Sequence, residues 1–418
     1  MTGGQLRREG KSMKSVVCTR CGWRTRVGNF VKKCPECAAL TEFSYDRANA
    51  RLYESDNPIE RYFDLLPLTD RANIRWLGDG NTPTIRATEL AKTLAMESLW
   101  LKVEGANPSR STKDRAFSVV YSYLAECRIR EFGVCSTGNS STACGRGAQL
   151  FPNDFTAHVF IGRDFLNRLN FPDSDNVRVY VVEGDFVDAG ATAQEYCERH
   201  GILWEGGFFN PARRAGHKLA YLEALDAMDR EPAWAFQAVS SGMGMIGAKE
   251  GFLDYLAMGK INRIPRFVGV QQARCAPMVR AWEDGALRIR PAEVIENPNG
   301  LAKALLRGNP TPTYPTFRHM IESTNGLLTS VTDAEIIEAR WLALTCQGLD
   351  ICNASAVGLA GMIKLRRRGV IAQDQPVLVN LTGQDRVDTT VPSQYQSLSV
   401  TRKRKGDAAP TALTPAAP

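Results

Sequence analysis

From about residue 84 onward the chain alternates two kinds of apolar pattern. One is a short run of apolar and β-branched residues, as in Leu99-Trp100-Leu101-Lys102-Val103. Such runs predict strands over 99–103, 133–136, 156–161, 178–182, 234–239, 266–270 and 376–381. The other repeats apolar positions every three or four residues and predicts helices over 90–94, 117–130, 140–150, 189–200, 333–347 and 354–368, with one more beginning near Gly247. Strands separated by helices cannot be joined by tight hairpins, so the chain reads as an α/β fold with mostly parallel sheets and helices on both faces. Residues 46–80, with Pro58, Pro67 and several aromatics, read as a wrapping connector, and no internal repeat is present. After about residue 390 the sequence turns polar, then basic (Thr401-Arg402-Lys403-Arg404-Lys405), then rich in Ala, Pro and Thr, which predicts a disordered tail over 391–418.

Composition adds bounds. The 418 residues leave room for two or three domains, at one per ~150 residues. With 44% hydrophobic and 23% charged residues the chain is neither disordered nor collagen-like. No stretch approaches the ~18 uncharged apolar residues of a membrane span, and no charged-then-apolar leader opens the sequence, so no membrane partner is expected. The net charge of +7 sits partly in the terminal runs and does not ask for nucleic acid. An odd count of 11 cysteines in a long chain points to the reducing cytoplasm rather than a disulfide framework. Only four histidines are present, which leaves little material for histidine triads or several histidine-ligated metals.

The first local signal is Cys18-x2-Cys21-x12-Cys34-x2-Cys37. Two Cys-x-x-Cys knuckles present four thiolates to one tetrahedral zinc. With all four positions filled by cysteine the site is closed to substrate and therefore structural; four buried free thiols are the other reading. The segment to about residue 45 reads as a zinc ribbon whose fold begins near Met13, after an unstructured leader or upstream start.

Open parallel sheets bind ligands at the carboxyl ends of their strands, so four loops carry the candidate chemistry. Asn107-Pro108-Ser109-Arg110-Ser111-Thr112-Lys113-Asp114-Arg115-Ala116 opens a helix. A lysine at a helix start lies in a field that favours its free amine, the form a carbonyl-trapping nucleophile needs, although Lys-Asp-Arg also suits a solvated helical turn. Ser136-Thr137-Gly138-Asn139-Ser140-Ser141 offers hydroxyls and free amides as a carboxylate cradle, with Asn139 able to donate to a phenolate oxygen; Ser140 alone would make a plain helix cap. Ser240-Ser241-Gly242-Met243-Gly244-Met245-Ile246-Gly247 can close its backbone around a phosphate. Its Gly-x-Gly-x-x-Gly spacing also fits a dinucleotide fingerprint, but the next strand ends Gly269-Val270-Gln271-Gln272 without the required acid, which favours a single phosphate. In Asn380-Leu381-Thr382-Gly383-Gln384, Thr382 is either a turn residue or a neutral hydroxyl for a ring nitrogen.

A lysine nucleophile, an asparagine for a phenolate oxygen, a phosphate cup and a hydroxyl for a ring nitrogen together describe pyridoxal phosphate. On these motifs the chain, over roughly residues 80–386, resembles the tryptophan-synthase-β-like class of pyridoxal-phosphate enzymes, in its threonine synthase and cysteate synthase branch, where a zinc-ribbon-like start recurs. Gly80-Asn81-Thr82-Pro83, Ser-Thr-Lys-Asp-Arg and Ser-Thr-Gly-Asn look like threonine synthase. Glu205-Gly206-Gly207 with Asn210-Pro211-Ala212-Arg213-Arg214, Phe236-Gln237-Ala238-Val239, Pro277-Met278 with Ala281-Trp282-Glu283-Asp284-Gly285, and Gly348-Leu349-Asp350-Ile351 with Ser355-Ala356-Val357 look more like cysteate synthase. Departures are Cys352-Asn353-Ala354 in place of Glu-Pro-(Ser/Ala), Arg110 where a glycine is usual, Thr112 for phenylalanine, and methionines at 243 and 245.

The resemblance implies an α/β fold of two open, mostly parallel sheets with flanking helices plus an N-terminal zinc ribbon. Its domains would be a leader and ribbon over 1–45, a large cofactor domain over 46–105 and 206–390, and a smaller α/β domain over 106–205. Lys113 would hold the cofactor's aldehyde covalently and act as the catalytic base. Asn139 would meet the 3-hydroxyl, Ser241, Gly242, Met243, Gly244 and Met245 would wrap the phosphate, and Thr382 would face the pyridine nitrogen. Ser136, Thr137, Gly138 and Ser140 would hold the substrate carboxylate, and Arg110, Arg115, Arg213 and Arg214 are candidates for its phosphate. The implied activity is loss of phosphate from an O-phosphorylated amino acid and addition of a small nucleophile. Cysteate-synthase-like replacement on O-phosphoserine is placed ahead of threonine synthesis from O-phosphohomoserine, and a homodimer is usual in the class. The reading from a different class is a zinc-ribbon nucleic-acid binder around an inactive body, for which Trp23 and Phe30 would be the stacking residues.

Overall fold

In the computed structural model, which describes residues 14–400, the strands form three sheets. The largest runs in the order Leu327–Val331, Arg266–Gln272, Trp234–Ala238, Val377–Leu381, Leu99–Val103, Thr84–Arg86, parallel throughout except for the last strand. Trp234–Ala238 and Val377–Leu381 are buried at every position, because a central parallel strand is covered by helices on both faces. The second sheet is parallel in the order Gln396–Leu398, Val177–Val182, Thr156–Gly162, Glu131–Cys135, Leu203–Trp204. The third is a small antiparallel sheet, Arg24–Arg26, Ser15–Cys18 and Thr41–Ser44, beside which the four sulfurs of Cys18, Cys21, Cys34 and Cys37 lie within 4.8 Å of one another.

Every strand predicted from the pattern is present, with ends displaced by at most two residues. The pattern gives no sign of the longest helix, Pro211–Ala227. Every residue from Pro211 to Ala224 is buried, among them Arg213, Arg214, His217, Lys218 and Glu223, so the helix has no polar face to set against an apolar one. It lies against the helices Lys113–Glu126 and Met243–Ala257. Gly216 permits the first approach, since a Cβ there would stand 2.5 Å from the Arg115 carbonyl oxygen. The tail also needs correcting. Gln396–Leu398 pairs with Val177–Val182, so the disordered tail does not begin at 391; its basic stretch from residue 401, like the leader before Lys14, lies outside the described residues. Among the described residues no helix is long and apolar enough to cross a membrane.

One buried charge cluster ties strand, loop and helices together. Arg115 donates to Glu104 through Nε at 2.7 Å and Nη2 at 2.9 Å, and to Glu223 through Nη1 at 2.9 Å and Nη2 at 2.7 Å. Lys102 adds a bond to Glu223 at 2.9 Å, and Thr82, also held by Arg115 at 2.9 Å, donates to Glu104 at 2.7 Å. Two cations and two carboxylates cancel, and Arg115 with Lys102 holds Glu223 down near 2 against the pull of burial. Arg115 is therefore structural, which corrects its expected place on a substrate phosphate. Replacing it by methionine leaves two carboxylates buried without their main partner. Arg115→Met is expected to cost about 3–5 kcal/mol, seen as a large drop in urea midpoint; a variant that unfolds like the parent would refute the role.

Candidate active site

All four loops singled out in the sequence follow the carboxyl ends of their strands and meet at one cleft of about 1080 Å³ between the two larger sheets. Lys113 is the first residue of the helix Lys113–Glu126. Burial, with the nearby Arg213 charge, lowers its ammonium from 10.5 to about 8, so a sizeable fraction is free amine near neutrality. The loop before it is braced by Asp114, which accepts from the Ser109 amide at 2.6 Å, and by Thr112, whose amide donates to the Thr382 carbonyl at 3.0 Å. Arg110 sits at φ 60°, the region that favours glycine, and donates to Gln384 at 2.9 Å. It does not line the cleft.

Ser136, Thr137, Asn139 and Ser140 all line the cleft at the start of the helix Asn139–Leu150. Gly138 makes the turn at φ 127° behind them. The Ser136 hydroxyl already accepts from the amides of Gly138 at 3.1 Å and Ser141 at 2.9 Å, so it shapes the loop as well as facing the cleft. Opposite, Ser241, Gly242, Met243 and Gly244 line the cleft at the start of the helix Met243–Ala257. A Cβ on Gly242 would lie 2.3 Å from the Phe317 ring at a φ of 81°, so the strand-to-helix turn requires glycine there, and one on Gly244 would press on the Gln237 amide at 2.6 Å. Met245 is not part of this cup. Its side chain is fully buried in the core and its amide donates to the Gly242 carbonyl at 3.1 Å. Thr382 lines the cleft, and Gly383 beside it is fixed by Ser355, which donates to its carbonyl at 2.5 Å and accepts from its amide at 3.0 Å.

The expected phosphate arginines separate. Arg213 lines the cleft, stacked over Phe117 and paired twice with Glu205 at 2.6 Å. Arg214 points the other way, bonding the carbonyls of Phe208 at 2.7 Å and of Thr41, so it fastens the ribbon to the body and does not face substrate.

Three groups at the site were not anticipated. His217 places Nε2 3.4 Å from Lys113 Nζ, and burial beside Lys113, Arg213 and Arg115 keeps it neutral. A lone histidine in a fully buried helix carries no pattern that marks it. Arg386, four residues after Thr382, donates to Asn139 Oδ1 at 3.0 Å, to the Arg168 carbonyl at 3.1 Å and to the Ser109 carbonyl at 3.2 Å. Arg307 reaches the cleft from an irregular segment.

The residues fit pyridoxal phosphate: a buried low-pKa lysine, a helix start whose glycines leave space for an anion, and the Thr382 hydroxyl on the cleft wall. The family model described as "Pyridoxal-phosphate dependent enzyme" matches residues 75–383. The chain is 29% identical to a threonine synthase of Methanocaldococcus jannaschii, over 88% of this chain and 91% of that protein. It is 28% identical to a cysteate synthase of Methanococcoides burtonii, over 92% of this chain and 93% of that protein. Among solved structures it resembles maize serine racemase with a TM-score of 0.60 at 17% identity, covering 74% of this chain and 89% of that one, a likeness of fold alone. With that model matching about three quarters of its length, cleft-lining loops included, the chain belongs to the pyridoxal-phosphate-dependent enzyme family, among its threonine- and cysteate-synthase-like members.

Proposed function

We propose that this protein removes phosphate from an O-phosphorylated amino acid and adds a small nucleophile in its place, with O-phosphoserine and sulfite as the first pair. The observation that carries the reading is the free-amine-prone Lys113 at the foot of a cleft that gathers the glycine cup and the Ser136–Ser140 loop. When bound, the cofactor supplies an electron sink for the negative charge left at Cα, which no side chain can do. Lys113 anchors it and moves the Cα proton, and His217 beside the lysine keeps it oriented. Ser241, Gly242, Met243 and Gly244 hold the cofactor phosphate, Thr382 faces the ring nitrogen and Asn139, steadied by Arg386, meets the ring oxygen. Thr137 and Ser140 hold the substrate carboxylate, with Ser136 and Gly138 shaping their loop. In the reaction the Cβ–O bond breaks, phosphate leaves with the electron pair, the Cβ–S bond forms from the sulfite lone pair, and the proton returns to Cα.

The stretches Glu205-Gly206-Gly207, Asn210–Arg214 and Gly348–Ile351, which look like cysteate synthase, support the serine-level substrate. Threonine synthesis is the second reading, supported by threonine synthases matching 88–89% of this chain. Zinc on Cys18, Cys21, Cys34 and Cys37 is the structural metal of this proposal, and the cytoplasm, where the other seven cysteines persist as free thiols, its compartment. A second copy of the chain is the expected partner, and Ile337, Trp341 and Leu344, exposed on one face of the helix Asp333–Gln347, suit such a contact.

Purified protein given O-phosphoserine and sulfite is expected to release phosphate and form cysteate; phosphate released only from O-phosphohomoserine, with threonine formed, would replace the first reading by the second. Lys113→Ala is expected to lose the borohydride-fixable yellow colour, and retention of the same chromophore would refute the assignment. Because only the free amine captures the cofactor, uptake by cofactor-free protein should rise about tenfold per pH unit below the lysine's pKa and level off above about 8. Elemental analysis is expected to give one zinc per chain, lost together with the ribbon's stability in a Cys34→Ala variant.

A further inference from the structure

A second, open cavity adjoins the catalytic cleft. Cys135, Phe186, Gly207, Phe208 and Arg307 line both, so they form the partition between them. Its outer wall is the ribbon: Phe30, Val31, Lys32 and Lys33 from the loop between the two cysteine knuckles. Lys32 reaches across to donate to the Trp204 carbonyl at 2.8 Å, lying over Gly206, where a Cβ would come within 2.4 Å of the lysine stem. Lys33 stands 4.1 Å over the Phe209 ring. Among the described residues lining the two cavities there is no aspartate or glutamate, but there are five cations: Lys32, Lys33, Lys113, Arg213 and Arg307. Walls of one sign at low dielectric concentrate anions.

Arg307 is the exceptional member. Arg213 has Glu205, but the Arg307 Nε is buried with no hydrogen-bond partner, and no carboxylate pairs with the guanidinium among the described residues. Its plane lies 5.6 Å from the Phe186 ring, and burial lowers even this guanidinium to about 10. Nor is its backbone loose. Its segment is fixed by the paired bonds of Gln272 with Ala302 at 3.0 and 3.1 Å, and by the Ile295 amide to the Gly308 carbonyl at 3.0 Å. A half-buried cation on a fixed segment, its Nε enclosed and unpaired, is a cost to stability that an anionic ligand removes.

We propose that the second cavity is the entry passage for a small free oxyanion, the anionic co-reactant, and that Arg307 at its inner end binds it beside the catalytic cleft. The proposal rests on the functional reading above, whose nucleophile is such an anion. It also gives the ribbon a part in substrate delivery, through Lys32 and Lys33 at the outer wall.

Sulfate, an unreactive stand-in for sulfite, tests it on the full-length protein with the cofactor fixed by borohydride, so that the glycine cup is filled. Calorimetry is expected to show one sulfate per chain, weakened about tenfold or more in Arg307→Gln and partly restored in Arg307→Lys. In anion-free buffer Arg307→Met is expected to melt no lower than the parent, while sulfate raises the melting temperature of the parent and not of the variant. A variant that melts well below the parent would show a structural arginine and overturn the proposal, as would unchanged sulfate binding. In turnover, Arg307→Gln is expected to raise KM for sulfite and leave KM for the phosphorylated amino acid unchanged. The opposite split would assign the guanidinium to the ester phosphate and overturn the passage. A colourless protein would sink the functional reading by itself, and the sulfate titration of parent and variant would still decide the role of Arg307.

Discussion

Four charges taken out of water at the base of the cleft fix where everything above them stands. Arg115 spans Glu104 and Glu223, Lys102 completes the set, and each comes from a different place in the chain order: a strand, the turn after it, the helix that starts at Lys113, and the helix Pro211–Ala227. Removing such charges from water is expensive, and the cluster holds only because every formal charge meets its opposite at hydrogen-bond distance. The geometry that satisfies it leaves little freedom to the two residues before Arg115. Lys113 inherits its position from an ion pair that never touches a ligand.

The same economy of charge explains the cleft. Carboxylates lie behind its walls, on Glu104, Glu205 and Glu223, where they neutralise Arg115, Lys102 and Arg213. The surface facing the ligand is left with hydroxyls, amides and net positive charge. That arrangement makes a lysine give up its proton readily, because its ammonium has burial and an arginine against it and a single distant glutamate in its favour. It also makes a site suited to substrates that bring two or three negative charges.

Much of this was legible in the residues. Strands buried on both faces write themselves as apolar runs, and loops after them that carry glycine, serine or lysine stand out against that background. The four loops of the cleft were found in that way, and the structure brings their candidate site residues to one cavity, apart from Arg110, Arg115, Gly138 and Met245. The illegible part has a common cause. Pro211–Ala227 is enclosed on all sides, so its charged side chains mark buried partners rather than a solvated face, and His217, Arg213 and Glu223 could not be sorted into roles without knowing what each opposes. Arg214 and Arg213 are neighbours in sequence and about a third of a helical turn apart, enough to send one to the ribbon and the other to the cleft. Edge strands such as Gln396–Leu398 are too short to carry a period at all.

That last strand alters how the two larger sheets can move. The chain leaves the large sheet after Leu99–Val103, returns to it through Pro211–Ala227, and then crosses a third time to lay Gln396–Leu398 on the small sheet's far edge. On its way Arg386 grips the Asn139 loop and the Ser109 carbonyl. A body hung on two strings swings about the line joining them; a third string fastened at the opposite rim takes most of that swing away. The small sheet of this protein is strung in the second manner, tied to the large one at both rims of the cleft.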